Sequence, residues 1–123
     1  MFLPLLGFTK LKEKLRDGSK TQTIRKPRKI PIKVNDTLHV YWMLRTKSCM
    51  KIGDGKVTKV ERKCLANMTN LDAKLDGFED DEHGTAIQKL ALALRQMHPE
   101  ANEFSDFDII SFEWTNKNPT FFS

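Results

Sequence analysis

The stretch Gly18-Ser19-Lys20-Thr21-Gln22-Thr23-Ile24-Arg25 sets an amine, three hydroxyls and a guanidinium close together, and the loop behind it adds Lys26, Arg28, Lys29 and Lys33. A guanidinium offers a planar fork of donors that matches a phosphate or a base edge with paired hydrogen bonds, so Arg25 is a candidate anion grip. Lys26, Arg28 and Lys29 suit the neighbouring backbone phosphates as point charges. Readers of single-stranded RNA also use rings on which bases stack, and Tyr41, Trp42 and Phe78 are the available ones. Trp42, like Phe112 and Trp114, is more often core than stacking platform, whereas Phe78 beside an acidic loop suits a ligand wall.

Charge is distributed to match. Net charge over the 123 residues is +5, but residues 10–33 carry ten Lys/Arg against two acids while residues 68–123 carry four against eleven. One end of the chain is therefore a concentrated positive field, which draws a polyanion to one side of the molecule. The composition, 39% hydrophobic and 30% charged, is that of a folded domain with one modest core. A single domain over 1–123 is expected, with its core at about 5–114 and a loose tail over 115–123. No run is long enough to span a membrane and the apolar start is too short for a signal sequence, so a cytoplasmic protein is expected, with a monomer as its simplest state. Cys49 and Cys64 stand alone, without zinc spacing, and read as reduced thiols. Glu79 to Glu82 with His83 lacks the ligand spacing of a cation loop, so neither a metal nor a cofactor is implied.

Elements must position these groups. Phe8 to Arg16 reads as a short helix, with Leu11 and Leu15 on one face and Gly18 as its left-handed stop. Thr21 to Arg25 reads as a strand closed by Pro27, and alternation puts Thr21, Thr23 and Arg25 on one face and Gln22 with Ile24 on the other. Val34-Asn35-Asp36 is a turn before a strand over 37–44. Lys47–Ile52 and Lys56–Lys63 read as two strands of a hairpin about Gly53-Asp54-Gly55, with a bulge near Val57 and Val60. Asn67–Asp76 is polar and loop-like, with room for one helical turn. Thr85–Met97 is the clearest helix, with Ile87, Leu90, Leu94 and Met97 on its apolar stripe, Thr85 near its N-cap and Pro99 beyond its end. Phe107–Trp114 closes the chain as a strand. The class is α+β: a small antiparallel β-barrel flanked by two main helices.

Gly18-x-Lys20-x-x-Thr23-x-Arg25 after a helix, Asp36-Thr37-Leu38-His39-Val40 opening a strand, Asp76-Gly77-Phe78 before the second helix and the closing Phe107-Asp108-Ile109-Ile110-Ser111-Phe112 together resemble the ASCH domain family, over roughly residues 5–114. The resemblance implies a PUA-like barrel that handles RNA or modified nucleosides. Its members include RNA-binding modules, amidohydrolases of N4-acylated cytidines and ribonucleases, and fold alone does not choose among them. For the amidohydrolases it implies a Lys, a Thr and an acid, which fall here on Lys20, Thr23 and Asp76. A threonine hydroxyl needs an adjacent base to attack a carbonyl, and a lysine can be that base if burial or neighbouring cations lower its pKa. Asp76 is one methylene shorter than the family's usual Glu, and alternation sends Lys20 and Thr23 to opposite faces unless Lys20 lies in the turn before the strand.

Three functions follow as expectations. The first is an RNA- or nucleotide-binding domain with a basic cleft around Lys20–Arg25. The second is an N4-acetylcytidine-type amidohydrolase. The third is a ribonuclease drafting His39 or Lys20. An interaction module presenting Phe121-Phe122 as an exposed apolar patch is a further alternative.

Overall fold

The computed structural model describes residues 5–8, 18 and 20–122, with Leu5, Leu6 and Phe8 described as backbone alone. Among these residues five strands form one sheet: β1 (Leu5–Phe8), β2 (Gln22–Arg25), β3 (Thr37–Trp42), β4 (Met50–Cys64) and β5 (Asp106–Lys117), in the order β1-β3-β4-β5-β2. The pairing of β1 with β3 is parallel and the others are antiparallel. β1 and β2 are thus the two edges, yet Arg25 at the end of β2 donates from Nη2 to the carbonyl of Gly7 in β1 at 2.6 Å. The sheet curls until one side chain bridges its edges, which leaves less exposed edge for another chain to pair with. The architecture is the expected α+β small barrel. The helix read from Phe8 to Arg16 lies outside the described residues, except that Phe8 itself ends β1.

The hairpin expected at Asp54-Gly55 is absent. β4 runs unbroken through it for 15 residues. Neither Gly53 nor Gly55 has the positive φ that a tight hairpin turn demands. Both are needed for close approach instead: a Cβ on Gly53 would lie 2.1 Å from the Asn116 carbonyl oxygen, and one on Gly55 would lie 2.6 Å from the Phe112 ring. The chain reverses earlier, over residues 43–49, where Met43 (φ 52°) and Arg45 (φ 67°) take left-handed conformations. Register shifts at Asp54/Gly55 and between Val57 and Lys59 supply the bulging that the Val57/Val60 spacing predicts. The turn at Asn35 also forms, with φ 76°, a conformation Asn tolerates better than most side chains.

Two apolar clusters flank the sheet. Leu38, Val40, Ile52, Val57, Ile110 and Phe112 fill the barrel, and Phe107, Ile109 and Ile24 pack outward against the helices. β5 is buried on both faces because its residues alternate between the two clusters. Helix α1 (Asn70–Leu75) is a full element where a mostly irregular loop was expected, started by a capping box between Thr69 and Asp72. Helix α2 (Ala86–Met97) has the same device at Thr85 and Gln88 and buries Ala86, Leu90 and Leu94. Met97, placed on its apolar stripe, is exposed at the last turn instead.

The tail is not loose. β5 extends to Lys117, and α3 (Pro119–Phe122) follows it. Phe121 is 3% exposed and belongs to the barrel core, so it cannot serve as an exposed docking patch. Asn118 fixes this end by donating from its backbone N–H to the Ile52 carbonyl (2.8 Å) and from its side chain to the Lys51 carbonyl (2.6 Å). Among the described residues no helix is long and apolar enough to cross a membrane.

Candidate functional site

Lys20 lies just before β2, and Thr21 and Gln22 lead into the strand. From there two side chains reach the C-terminal end of α1. Lys20 donates from Nζ to the carbonyl of Asp76 at 2.6 Å, and Gln22 donates from Nε2 to the carbonyl of Asp72 at 3.0 Å. The carbonyl end of a helix carries partial negative charge, so an amine on the Asp76 carbonyl and an amide sharing the Asp72 carbonyl with the Asp76 N–H are favourable. That capping brings Lys20 against the Asp76 carboxylate, with Nζ 2.9 Å from Oδ1, close enough to pair but outside the alignment of a hydrogen bond. The shorter acid therefore does reach the lysine, because Asp76 sits at the helix C-cap directly above it.

Both members of the pair are buried, Lys20 to 3% exposure and Asp76 to 7%. Burial disfavours both charges. It lowers the Lys20 amine below its ordinary pKa, against the pull of Asp76, with Arg25 lowering it further. It raises the Asp76 carboxyl above its ordinary value, against Lys20, Gln22 and Arg25.

Thr23, itself buried, lies on the other face of β2, paired in register with Ile110. Its hydroxyl accepts from Arg25 Nε at 2.8 Å, while Arg25 Nη2 reaches Gly7. Strand alternation thus holds as read from sequence: Lys20 and Gln22 turn to α1, and Thr23 and Arg25 share the opposite face. Because β2 is a sheet edge, Arg25 is still near enough to Asp76 for the carboxylate to act on it electrostatically. Burial lowers the guanidinium to about 10, offset in part by Asp76 and reinforced by Arg28. Arg28 is likewise lowered by burial. Asp108, directly across the ladder from Arg25, gives both of its oxygens to Arg62 (2.9 and 3.4 Å).

The remaining predicted positions fall around this centre. Lys26 and Lys29 are exposed, and Lys26 pairs with Glu100. Phe78 follows α1 and packs on the outer core with part of its surface exposed. Tyr41 lies one strand beyond the bridge, opposite Gly7 in register, with Lys51 5.9 Å over its ring. Trp42 packs against the barrel core. His39 is engaged elsewhere, its Nδ1 2.9 Å from Asp54 Oδ1 on the adjacent strand. Among the described residues no group of three or more His, Cys, Asp or Glu side chains is placed to hold a metal.

Two contributors are invisible in the sequence. Gln22 reads as a filler between threonines, and only the docking of α1 shows what it holds. His98, at the end of α2, lies where burial and then the charges of Lys26 and Arg25 lower its pKa.

No protein-family model matches the sequence, and neither does any curated protein. Solved structures do match. The ASCH domain from Lactobacillus crispatus JV V101 superposes with a TM-score of 0.63 at 11% identity, over 92% of this chain and 80% of that one. The fold is that of ASCH domains. The ASCH protein from Zymomonas mobilis agrees (TM-score 0.57, 14% identity, 94% and 73% covered). So does protein EF3133 from Enterococcus faecalis V583, a DUF984 protein (TM-score 0.70, 14% identity, 97% and 84% covered). At these identities the likeness is one of ASCH fold, and the chemistry must be argued from the residues.

Proposed function

We propose that this ASCH-fold domain binds RNA or a nucleotide through Arg25 and Arg28, with Lys26 and Lys29 on the exposed rim. The observation that carries this reading is the pair of half-buried guanidiniums, Arg25 and Arg28, at the end of β2. Arg25 and Arg28 are partly withdrawn from water and repel one another, and each is lowered in pKa by burial. Such an arrangement costs folding stability, and a bound anion relieves it by bringing further opposite charge and hydrogen-bond acceptors. Arg25 at about 10 remains protonated at neutral pH. Titration of short 5′-labelled RNAs, followed by fluorescence anisotropy at two salt concentrations, tests the reading. Binding that weakens steeply with salt is expected, and no binding at low salt overturns it.

A second reading, hydrolysis of N4-acetylcytidine-type nucleosides, is favoured by one specific contact, the buried pairing of Lys20 with Asp76 close to Thr23 in the chain. In that reaction the Thr23 oxygen attacks the amide carbonyl. Because Lys20 lies on the other face of β2, the proton reaches its amine through a water at the strand edge, from where Lys20 returns it to the exocyclic nitrogen. The exocyclic nitrogen leaves as the amine of cytidine, and water then releases acetate from the threonine ester. Arg25, donating to the threonine oxygen, orients that hydroxyl and favours loss of its proton. Incubation with N4-acetylcytidine and chromatography of the products decides it. Cytidine formed by wild type and not by Lys20→Ala is expected, and no cytidine from wild type overturns it.

A further inference from the structure

The acidic C-terminal half has four basic residues, and the fold treats them differently. Lys74 pairs with Asp80 and Lys89 with Asp81, as lysines in an acidic region usually do. Lys117, at the end of β5, instead lies against the turn that opens the Gly18–Arg25 segment. A Cβ on Gly18 would be 3.1 Å from the Lys117 ammonium. The ammonium stands 5.3 Å from the centroid of Phe122, a cation–π position. Phe122 is itself fixed edge-on to Trp114 (5.4 Å between centroids) and Phe121 (5.5 Å). Phe121 and Asn118 anchor that end of the chain in the barrel. Lys117 is therefore an exposed cation on a rigid mount, placed beside the segment that carries Lys20, Thr23 and Arg25.

Resting on the reading that this face binds RNA, we propose that Lys117 is the far end of a phosphate track that begins at Arg25 and Arg28. Arg25 pairs in register with Asp108, and Lys117 lies further along the same strand, so about 30 Å of β5 at about 3.3 Å per residue separates the two positions. A single nucleotide cannot occupy both ends at once, whereas a strand of several nucleotides can lay one phosphate on the Arg25/Arg28 pair and another on Lys117. Gly18, with φ +77° and no side chain, leaves room for the ammonium beside its backbone. The track also explains how a residue in the acidic half contributes to a basic face: β5 carries it back across the barrel.

The test compares wild type, Lys117→Gln and Lys117→Arg with two labelled probes, an RNA octamer and a single nucleotide 5′-monophosphate. For the octamer, Lys117→Gln weakens binding about tenfold at low salt and reduces the slope of log K against log salt by about 0.7, the share of one single-strand phosphate. Lys117→Arg restores both. The single nucleotide binds wild type and Lys117→Gln equally. Octamer binding unchanged in Lys117→Gln overturns the track while leaving RNA binding intact. Equal weakening of both probes also overturns it, because the residue then acts on one shared pocket or on the fold. If wild type binds neither probe, the RNA-binding reading itself fails.

Discussion

Removing one member of the Lys20–Asp76 pair strands the other. The two charges are 2.9 Å apart and more than nine-tenths buried. At an effective dielectric of about 20 their attraction is about 6 kcal/mol, set against a desolvation cost of several kcal/mol for each ion. The pair as a whole thus contributes little net stability, but Lys20→Met or Asp76→Leu alone leaves an uncompensated buried charge and costs about 3–5 kcal/mol. That is a large part of the total stability of a domain this size, about 5–15 kcal/mol. The double variant Lys20→Met/Asp76→Leu removes both charges and recovers most of the loss, so urea denaturation of the four proteins gives a strongly non-additive cycle. The pH dependence carries a second signature. Lys20 has a lowered pKa in the folded state, so the unfolded chain binds more protons between that value and the ordinary 10.5, and wild-type stability gains from this group as pH rises through the window. Asp76, with a raised pKa, acts oppositely: its contribution is lost as pH rises from the ordinary 3.8 through its folded value. Lys20→Met should delete the alkaline gain. Additive single losses below about 1 kcal/mol, or an alkaline profile unchanged in Lys20→Met, would refute the reasoning.

Other consequences can be read by separate means. The pKa of His98, lowered by burial and by the nearby charges of Lys26 and Arg25, should rise when an anion occupies the Arg25 site, and a proton NMR titration with and without RNA will detect the change. Phe121→Ala should cost about 3–5 kcal/mol in urea denaturation, because the residue fills the barrel core; a loss below about 0.5 kcal/mol would mean that the C-terminal turn is not part of the core. Gly53→Ala should destabilise more than Gly55→Ala, since its Cβ meets the Asn116 backbone rather than the edge of the Phe112 ring, and thermal melts of the two variants will rank them.

Much of the fold is legible in the sequence because local signals and tertiary packing agree. Thr85 announces α2, its apolar stripe names the buried Leu90 and Leu94, the strand read over 37–44 forms over Thr37–Trp42, and that over Phe107–Trp114 lies within β5. The misreading of β4 has a physical source: Asp-Gly is a strong turn signal, but these glycines answer to residues far along the chain, Asn116 for Gly53 and Phe112 for the adjacent Gly55, which no local pattern reveals. The tail misleads for a related reason, since Phe121 looks like any terminal aromatic until the open end of the barrel is in view. At the site, residue types and strand alternation are readable. The meeting of Lys20 with Asp76 is implied by the family resemblance but not by local pattern, because it depends on where the C-terminus of α1 lands against β2.

The central claim is that Arg25 and Arg28 together grip an anionic strand. The direct measurement is RNA-octamer affinity across a salt series for wild type and for Arg25→Gln/Arg28→Gln. The account predicts measurable wild-type binding at low salt. It also predicts a salt slope reduced by about 1.4 in the double variant, because two single-strand phosphates are no longer neutralised. A wild-type protein that does not bind at low salt, or a double variant with the same slope and affinity, would contradict it.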